Sequence, residues 1–214
     1  LREGSIHLVC SRGESGAVNM ADGYARATGK LGVVITSTGT GAGNAAGSLI
    51  EAWAAGVPVL HLTGEVASPY LGTGRGYIHE CKDQLSMMEG ACKKAIRLRK
   101  PEQTAAIVRQ AIQDALAAPS GPVSLEISID FQSAIIPNNT LEEIRYAAQT
   151  NHLVLDLPKE IVSKITNARR PVIWAGGGVI SADASQEVKQ LAEMIGAAVI
   201  TSQSGKGSIP EDHP

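Results

Sequence analysis

Short runs rich in Val, Ile and Leu recur along this chain, and between them apolar residues return every three or four positions. That alternation limits the fold more than any other feature. The runs are Ile6 to Cys10, Gly32 to Thr36, Val57 to Thr63, Val123 to Ile129, Val172 to Ala175 and Ala197 to Thr201. Most lack polar alternation, which predicts strands covered on both faces. Helices are predicted over Glu14 to Thr28, Ala45 to Ala54, Pro101 to Ala118, Pro158 to Ala168 and Ala184 to Ile195. The clearest is the third, where Ile107, Val108, Ala111, Ile112, Ala115 and Leu116 form one stripe behind a proline placed in the first turn. Strands alternating with helices imply βαβ units and an α/β fold with a parallel sheet. Aromatic content of 3% beside 23 glycines suits closely packed layers joined by tight turns.

The pattern lapses between residues 132 and 157, where Pro137, Asn138, Asn139 and Asn151 sit in polar, weakly periodic sequence. This reads as a linker between a domain at 1–131 and a second at 158–214. The second contains only two strands and two helices, too few for a doubly wound sheet of about five or six strands. No βα unit precedes Ile6, so truncation at both ends is expected.

Bulk properties exclude several classes. The net charge is −2, charged residues are 19%, and no Lys/Arg cluster stands out, so nucleic acid is not an expected partner. No apolar run approaches the roughly 20 residues that cross a bilayer, and the start lacks a signal-type segment. A soluble protein of the cytoplasm, without membrane partners, is expected. Cys10, Cys81 and Cys92 have neither CxxC nor zinc-ligand spacing, which predicts buried free thiols and no metal site.

Four segments carry candidate chemistry. Arg12-Gly13-Glu14 follows a predicted strand and opens a helix, so Glu14 sits where a carboxylate meets unpaired N–H groups; helix capping alone would explain it. Thr38-Gly39-Thr40-Gly41-Ala42-Gly43-Asn44 joins a strand to a helix, as a ligand-binding turn or a plain tight turn would. Its glycines miss the G-x-G-x-x-G spacing. Gly176-Gly177-Gly178 and Gly205-Lys206-Gly207 are further turns of this kind, and no Walker pattern surrounds Lys206.

Taken in order, Arg12-Gly13-Glu14, Ala21-Asp22-Gly23-Tyr24-Ala25-Arg26-Ala27-Thr28-Gly29-Lys30, Gly32 to Thr36, the Gly39 to Asn44 turn, Ala55 to Leu60 and Thr63-Gly64 resemble the pyrimidine-binding domain of one enzyme family. These are the thiamine-diphosphate enzymes of the acetolactate synthase, pyruvate oxidase and oxalyl-CoA decarboxylase group. Arg170-Pro171-Val172-Ile173, Gly176 to Gly178 and Gly205 to Pro214 resemble the opening of that family's Rossmann-like central domain. The resemblance implies a three-layer pyrimidine-binding domain in which Glu14 hydrogen-bonds N1′ of the cofactor aminopyrimidine and so activates it for attack on a 2-keto acid. It also implies that Thr38, Gly39, Thr40 and Asn44 lie beside the aminopyrimidine, with Thr40 where proline is common and Asn44 ending the loop.

Ile78-His79-Glu80-Cys81-Lys82-Asp83-Gln84 corresponds in position to a substrate-facing loop of the family without reproducing its Phe-Gln-Glu or Tyr-Glu-Glu patterns. His79 is therefore the candidate for oxyanion stabilisation or proton relay, a surface histidine being the alternative. The preceding stretch with Gly72, Gly74, Arg75 and Gly76 is expected to be a mobile loop that orders over the site.

In this family a C-terminal domain with a Gly-Asp-Gly motif holds the diphosphate and Mg2+. That motif is absent here, so these 214 residues alone are expected to bind the cofactor poorly and to catalyse nothing. FAD or an adenine nucleotide at Gly176, Gly177, Gly178, Gly205 and Lys206 is a further implication. So is a homodimer or homotetramer. The reading is thus a carboligase or decarboxylase of 2-keto acids, with an acyl-CoA C–C lyase or a non-catalytic nucleotide-binding or assembly module as alternatives.

Overall fold

The computed structural model describes residues 6–136 and 156–213. The chain divides into two compact units, Leu1–Ala147 and Ala148–Pro214. Most of the expected linker, residues 137–155, lies outside the described residues.

In the first unit, four parallel strands run in the order β1 (Gly32–Thr36), β2 (Val59–Glu65), β4 (Val123–Ser128) and β3 (Lys94–Arg97). Helices α1 (Glu14–Thr28), α2 (Thr40–Ala54), α3 (Gln84–Ala91) and α4 (Thr104–Leu116) connect or precede them, and a single turn of helix, α5 (Ile129–Gln132), follows β4. Period-two geometry places neighbouring strand residues on opposite faces. Val34 and Val59 accordingly join Val18, Ala21, Ala45, Leu49, Met88 and Ala91 in the core under α1, α2 and α3, whereas Leu60 and Val123 pack with Ala111 and Ala115 of α4 on the other face. The unit is therefore a three-layer α/β/α sandwich with a wholly parallel sheet. The sequence pattern implied the parallel sheet and the resemblance the three layers, but β1 is not covered on both faces as expected, since Val33 and Ile35 are half exposed. Alanines dominate the interface of α1 with α2, which lets the two helices approach closely.

The described part of the second unit contains α6 (Lys159–Thr166), β5 (Val172–Ala175), α7 (Gly177–Ser181), α8 (Ser185–Ile195) and β6 (Ala198–Thr201), with β5 and β6 parallel. Among the described residues no helix is long and apolar enough to cross a membrane.

One expected strand does not form. Ile6 to Cys10 forms no strand, with Ile6, Leu8 and Val9 each more than half exposed. β-branched composition is not enough where no neighbouring strand and no face to bury are available. Of the three cysteines, Cys92 alone is buried; Cys10 is exposed and Cys81 partly so, which corrects the expectation of uniformly buried thiols.

The α1–α3 face of the sheet changes character along the strands. Val34 and Val59 are apolar, but Thr36, His61, Thr63, Glu65, Ser124, Glu126 and Ser128 further along are all buried and polar. Such groups require partners. His61 is wholly buried, with Nε2 2.9 Å from Thr36 Oγ1 and Nδ1 2.9 Å from Ser124 Oγ. Burial lowers its pKa to about 4, so the ring is neutral in the folded protein at neutral pH. The unfolded chain takes up its proton near pH 6.5, the folded chain only near 4. Stability is thus full above the first value and is lost as pH falls towards the second, by about 3 kcal/mol in total. Urea unfolding from pH 7 to pH 4 is expected to show this loss for wild type beyond that of His61→Gln. Parallel curves for the two proteins would rule it out.

Candidate functional site

The carboxyl ends of parallel strands are where the backbone turns into helix N-termini, and ligands of α/β folds bind there. Here that edge gathers the polar residues just described, the β1–α2 turn and the start of α1.

Glu14 is the first residue of α1, behind the extended Gly13. It is half-buried and makes no cap of its own helix. Its Oε2 instead accepts a hydrogen bond from Asn44 Nδ2 at 3.2 Å. Ser15 Oγ donates to the Asn44 carbonyl at 2.5 Å, which ties the two helix starts together. A methyl group placed on Gly41 would lie 3.5 Å from Glu14 Oε1, so the carboxylate rests against the first turn of α2. Asn44 itself lies inside α2, which begins at Thr40; the residue neither ends the loop nor caps the helix. Its polar side chain is spent on orienting Glu14.

Gly39 precedes α2 at φ +55° and ψ −96°, a backbone conformation open only to glycine. Any side chain there would also overlap the His79 carbonyl, which lies directly against its α-carbon. His79 has φ +61° itself, and its side chain is exposed. The structure thus brings His79 to the Gly39 turn through its backbone. Thr38 is partly buried and its hydroxyl lies 3.4 Å from both Glu65 Oε1 and Gln84 Oε1, whereas Thr40 faces solvent.

Glu80 organises the glycine-rich loop ahead of it. Its carboxylate accepts from the backbone N–H groups of Gly74 at 3.0 Å, Gly76 at 2.7 Å and Tyr77 at 3.0 Å, and Tyr70 stacks on Tyr77 with ring centroids 4.6 Å apart. In the structure this loop is folded around the Glu80 side chain, while Arg75 remains exposed.

Beneath the turn lies a cluster missing from the sequence reading. Glu65, Gln84 and Glu126 are at most 3% exposed. Arg97 Nε donates to Glu126 Oε2 at 2.7 Å, and its Nη2 stands 3.8 Å from Glu65 Oε2. Burial pushes the Glu126 carboxyl upward, and the Arg97 guanidinium and Gln84 amide oppose that shift. A cleft of about 260 Å3 opens beside the cluster, lined by Glu65, Leu71, Lys82, Gln84 and Arg97 among others. The signal for Glu65 and Glu126 was alternation of polar with apolar in His61-Leu62-Thr63-Gly64-Glu65 and Ser124-Leu125-Glu126-Ile127-Ser128.

In the second unit, Gly176 and Gly177 open α7 and meet Gly205 from the turn after β6. A side chain on Gly205 would collide with the Ala175 carbonyl, and one on Gly177 would come within 3.1 Å of Ser204. These glycines are used on one another; Gly178 has open space and Lys206 is exposed.

Comparison with known proteins identifies a family. The family model for the N-terminal TPP-binding domain of thiamine pyrophosphate enzymes matches residues 1–87, and the model for their central domain matches 158–214. The probable acetolactate synthase large subunit of Methanocaldococcus jannaschii is 33% identical over 222 residues, an alignment covering 98% of this chain and 36% of that protein. The acetolactate synthase large subunit of Buchnera aphidicola subsp. Schizaphis graminum is 32% identical, covering 98% and 37%. A probable 2-ketoarginine decarboxylase of Pseudomonas aeruginosa is also 32% identical, covering 98% and 37%. The chain therefore spans little more than a third of the length of the curated relatives it matches.

Proposed function

The chain belongs to the thiamine pyrophosphate enzyme family, and from that premise we propose that it forms the aminopyrimidine-binding part of an acetolactate-synthase-like enzyme. The enzyme is a carboligase or decarboxylase of 2-keto acids, consistent with the names of its relatives. Residues 1–131 are assigned as the pyrimidine-binding domain and 158–214 as the start of the central domain.

One observation carries the reading: Glu14 is a carboxylate held by Asn44 at the joined starts of α1 and α2, beside a turn whose backbone is locked open at Gly39. The donor set fits the cofactor's aminopyrimidine. One side-chain donor orients the Glu14 carboxylate, and further lone pairs remain to share a proton with a ring nitrogen. When bound, thiamine diphosphate would supply the carbon nucleophile that the chemistry of a 2-keto acid requires. Glu14 holds the proton that tunes it. Thr38, Gly39 and Thr40 are assigned to the wall beside the ring, and His79, whose backbone packs against Gly39, to the substrate side.

Mg2+ and the diphosphate are assigned to residues outside these 214. A flavin or adenine nucleotide would meet Gly176 to Gly178, Gly205 and Lys206, but the packing of Gly177 and Gly205 favours structural turns. Met20 and Tyr24 on α1 and Ile50 and Trp53 on α2 are each about half exposed, which supports a homodimer or homotetramer. A cytoplasmic location fits the composition.

Calorimetric titration of the intact protein with thiamine diphosphate and Mg2+, followed by a panel of 2-keto acids and oxalyl-CoA, tests the reading. Saturable Mg2+-dependent binding with turnover of a 2-keto acid is expected. Turnover of the CoA ester alone would replace the carboligase reading with the lyase, and absence of binding would leave a non-catalytic module.

A further inference from the structure

Gln84 is the first residue of α3 and is completely buried. A primary amide offers two donors and two acceptor lone pairs, and here all four are occupied. Its Oε1 accepts the Gly39 backbone N–H at 2.5 Å and lies 3.4 Å from Thr38 Oγ1; its Nε2 donates to the Gly64 carbonyl at 3.0 Å and to Glu126 Oε1 at 3.1 Å. The neighbours admit only one orientation. The Gly39 N–H can only donate, and the Gly64 carbonyl can only accept, so the amide cannot be reversed. Behind it, Glu126 is fixed by Arg97.

A continuous chain of hydrogen bonds thus runs from β3 through Arg97, Glu126 and Gln84 to the peptide N–H of Gly39. The strained turn is held from one side by Gln84 and from the other by the His79 backbone, five residues earlier in the same segment. We infer that Gln84 is a positioning residue that sets the Gly39 turn for the cofactor aminopyrimidine, with no contact to the cofactor itself. The inference rests on the assignment of that turn as the wall of the cofactor site. Loss of the amide leaves the Gly39 N–H buried without an acceptor, which the turn escapes by opening.

Two variants of the intact protein test it. Gln84→Met removes the acceptor at similar volume. Amide hydrogen exchange at Gly39, measured without cofactor, is expected to quicken roughly 10-fold or more, and thiamine-diphosphate affinity to fall by roughly 10- to 100-fold. Gln84→Glu keeps an oxygen for Gly39 but turns its second oxygen toward Glu126 of β4 and the Gly64 carbonyl. Glu65 of β2, Arg97 of β3 and the adjacent Asp83 complete its charged surroundings, and a single guanidinium cannot neutralise three buried carboxylates. Its affinity for the cofactor is expected to be poor at alkaline pH and to recover as acid protonates the cluster, a dependence that wild type lacks. A merely structural role would lower stability with the same pH dependence, but would leave the cofactor affinity of the folded protein and the exchange rate at Gly39 at their wild-type values.

Wild-type exchange and affinity in Gln84→Met would overturn the inference; if that variant fails to fold, a pH-independent affinity in Gln84→Glu would do so instead. Failure of wild type to bind thiamine diphosphate would sink the functional reading, while the exchange rate at Gly39 would still report on the tie to Gln84.

Discussion

Replacing Glu14 by Gln is expected to lower kcat of the intact enzyme by roughly 10²- to 10⁴-fold, the range in which a positioned proton-transfer group contributes. The amide matches the carboxylate in shape, and its oxygen can still accept from Asn44 Nδ2. What it lacks is the ability to hold a proton shared with a ring nitrogen. Cofactor affinity should change far less than turnover, because the walls at Thr38 and Gly39 are untouched. Stability should change little as well, since a half-exposed charge at a helix start is worth only about 0.3–1 kcal/mol. Steady-state kinetics with calorimetry separates these terms. Unchanged turnover in a folded, cofactor-binding variant would remove Glu14 from the mechanism and reduce it to the helix-terminal acid that the sequence alone allowed.

Glu14 was legible because its signal is local: a glycine, an acid and then an amphipathic helix. The strands at Gly32–Thr36 and Val172–Ala175 were legible for the same reason, each an apolar run bounded by turn residues. Helix α3 and strand β3 were not. The first contains two methionines and a glycine over eight residues, and the second, Lys94-Ala95-Ile96-Arg97, is short and charged at both ends. Ile6 to Cys10 failed in the opposite sense, since its composition promised a strand that no partner completes. Gln84 left no local trace. Its partners Gly39, Gly64 and Glu126 lie 20 to 45 residues away; the register of β2 with β4 brings Gly64 close to Glu126, and Gly39 reaches them on the turn after β1.

That dependence on register makes Arg97 the residue whose loss should cost the fold most. It donates to Glu126 at 2.7 Å, and it stands beside Glu65 as well. Arg97→Met keeps the apolar stem but leaves two buried carboxylates facing each other, and breaking a buried pair in this way destabilises by about 3–5 kcal/mol. The guanidinium is about one-fifth exposed, which points to the lower end of that range. The sign of the pH dependence follows from the carboxyl left behind. Without Arg97, Glu126 rises further above its unfolded value, so the folded variant binds a proton that the unfolded chain releases near pH 4.3. The deficit against wild type should therefore be largest at neutral pH and shrink on acidification. Adding Glu126→Gln should recover most of the lost stability at pH 7, because an amide in that position carries no charge to strand. Urea unfolding of the two variants measures both effects. A single variant within about 0.5 kcal/mol of wild type, the usual range of an inconsequential surface change, would mean that the carboxylates are neutral in the native protein. The Arg97–Glu126 pair would then contribute geometry to the Gly39 turn without contributing charge.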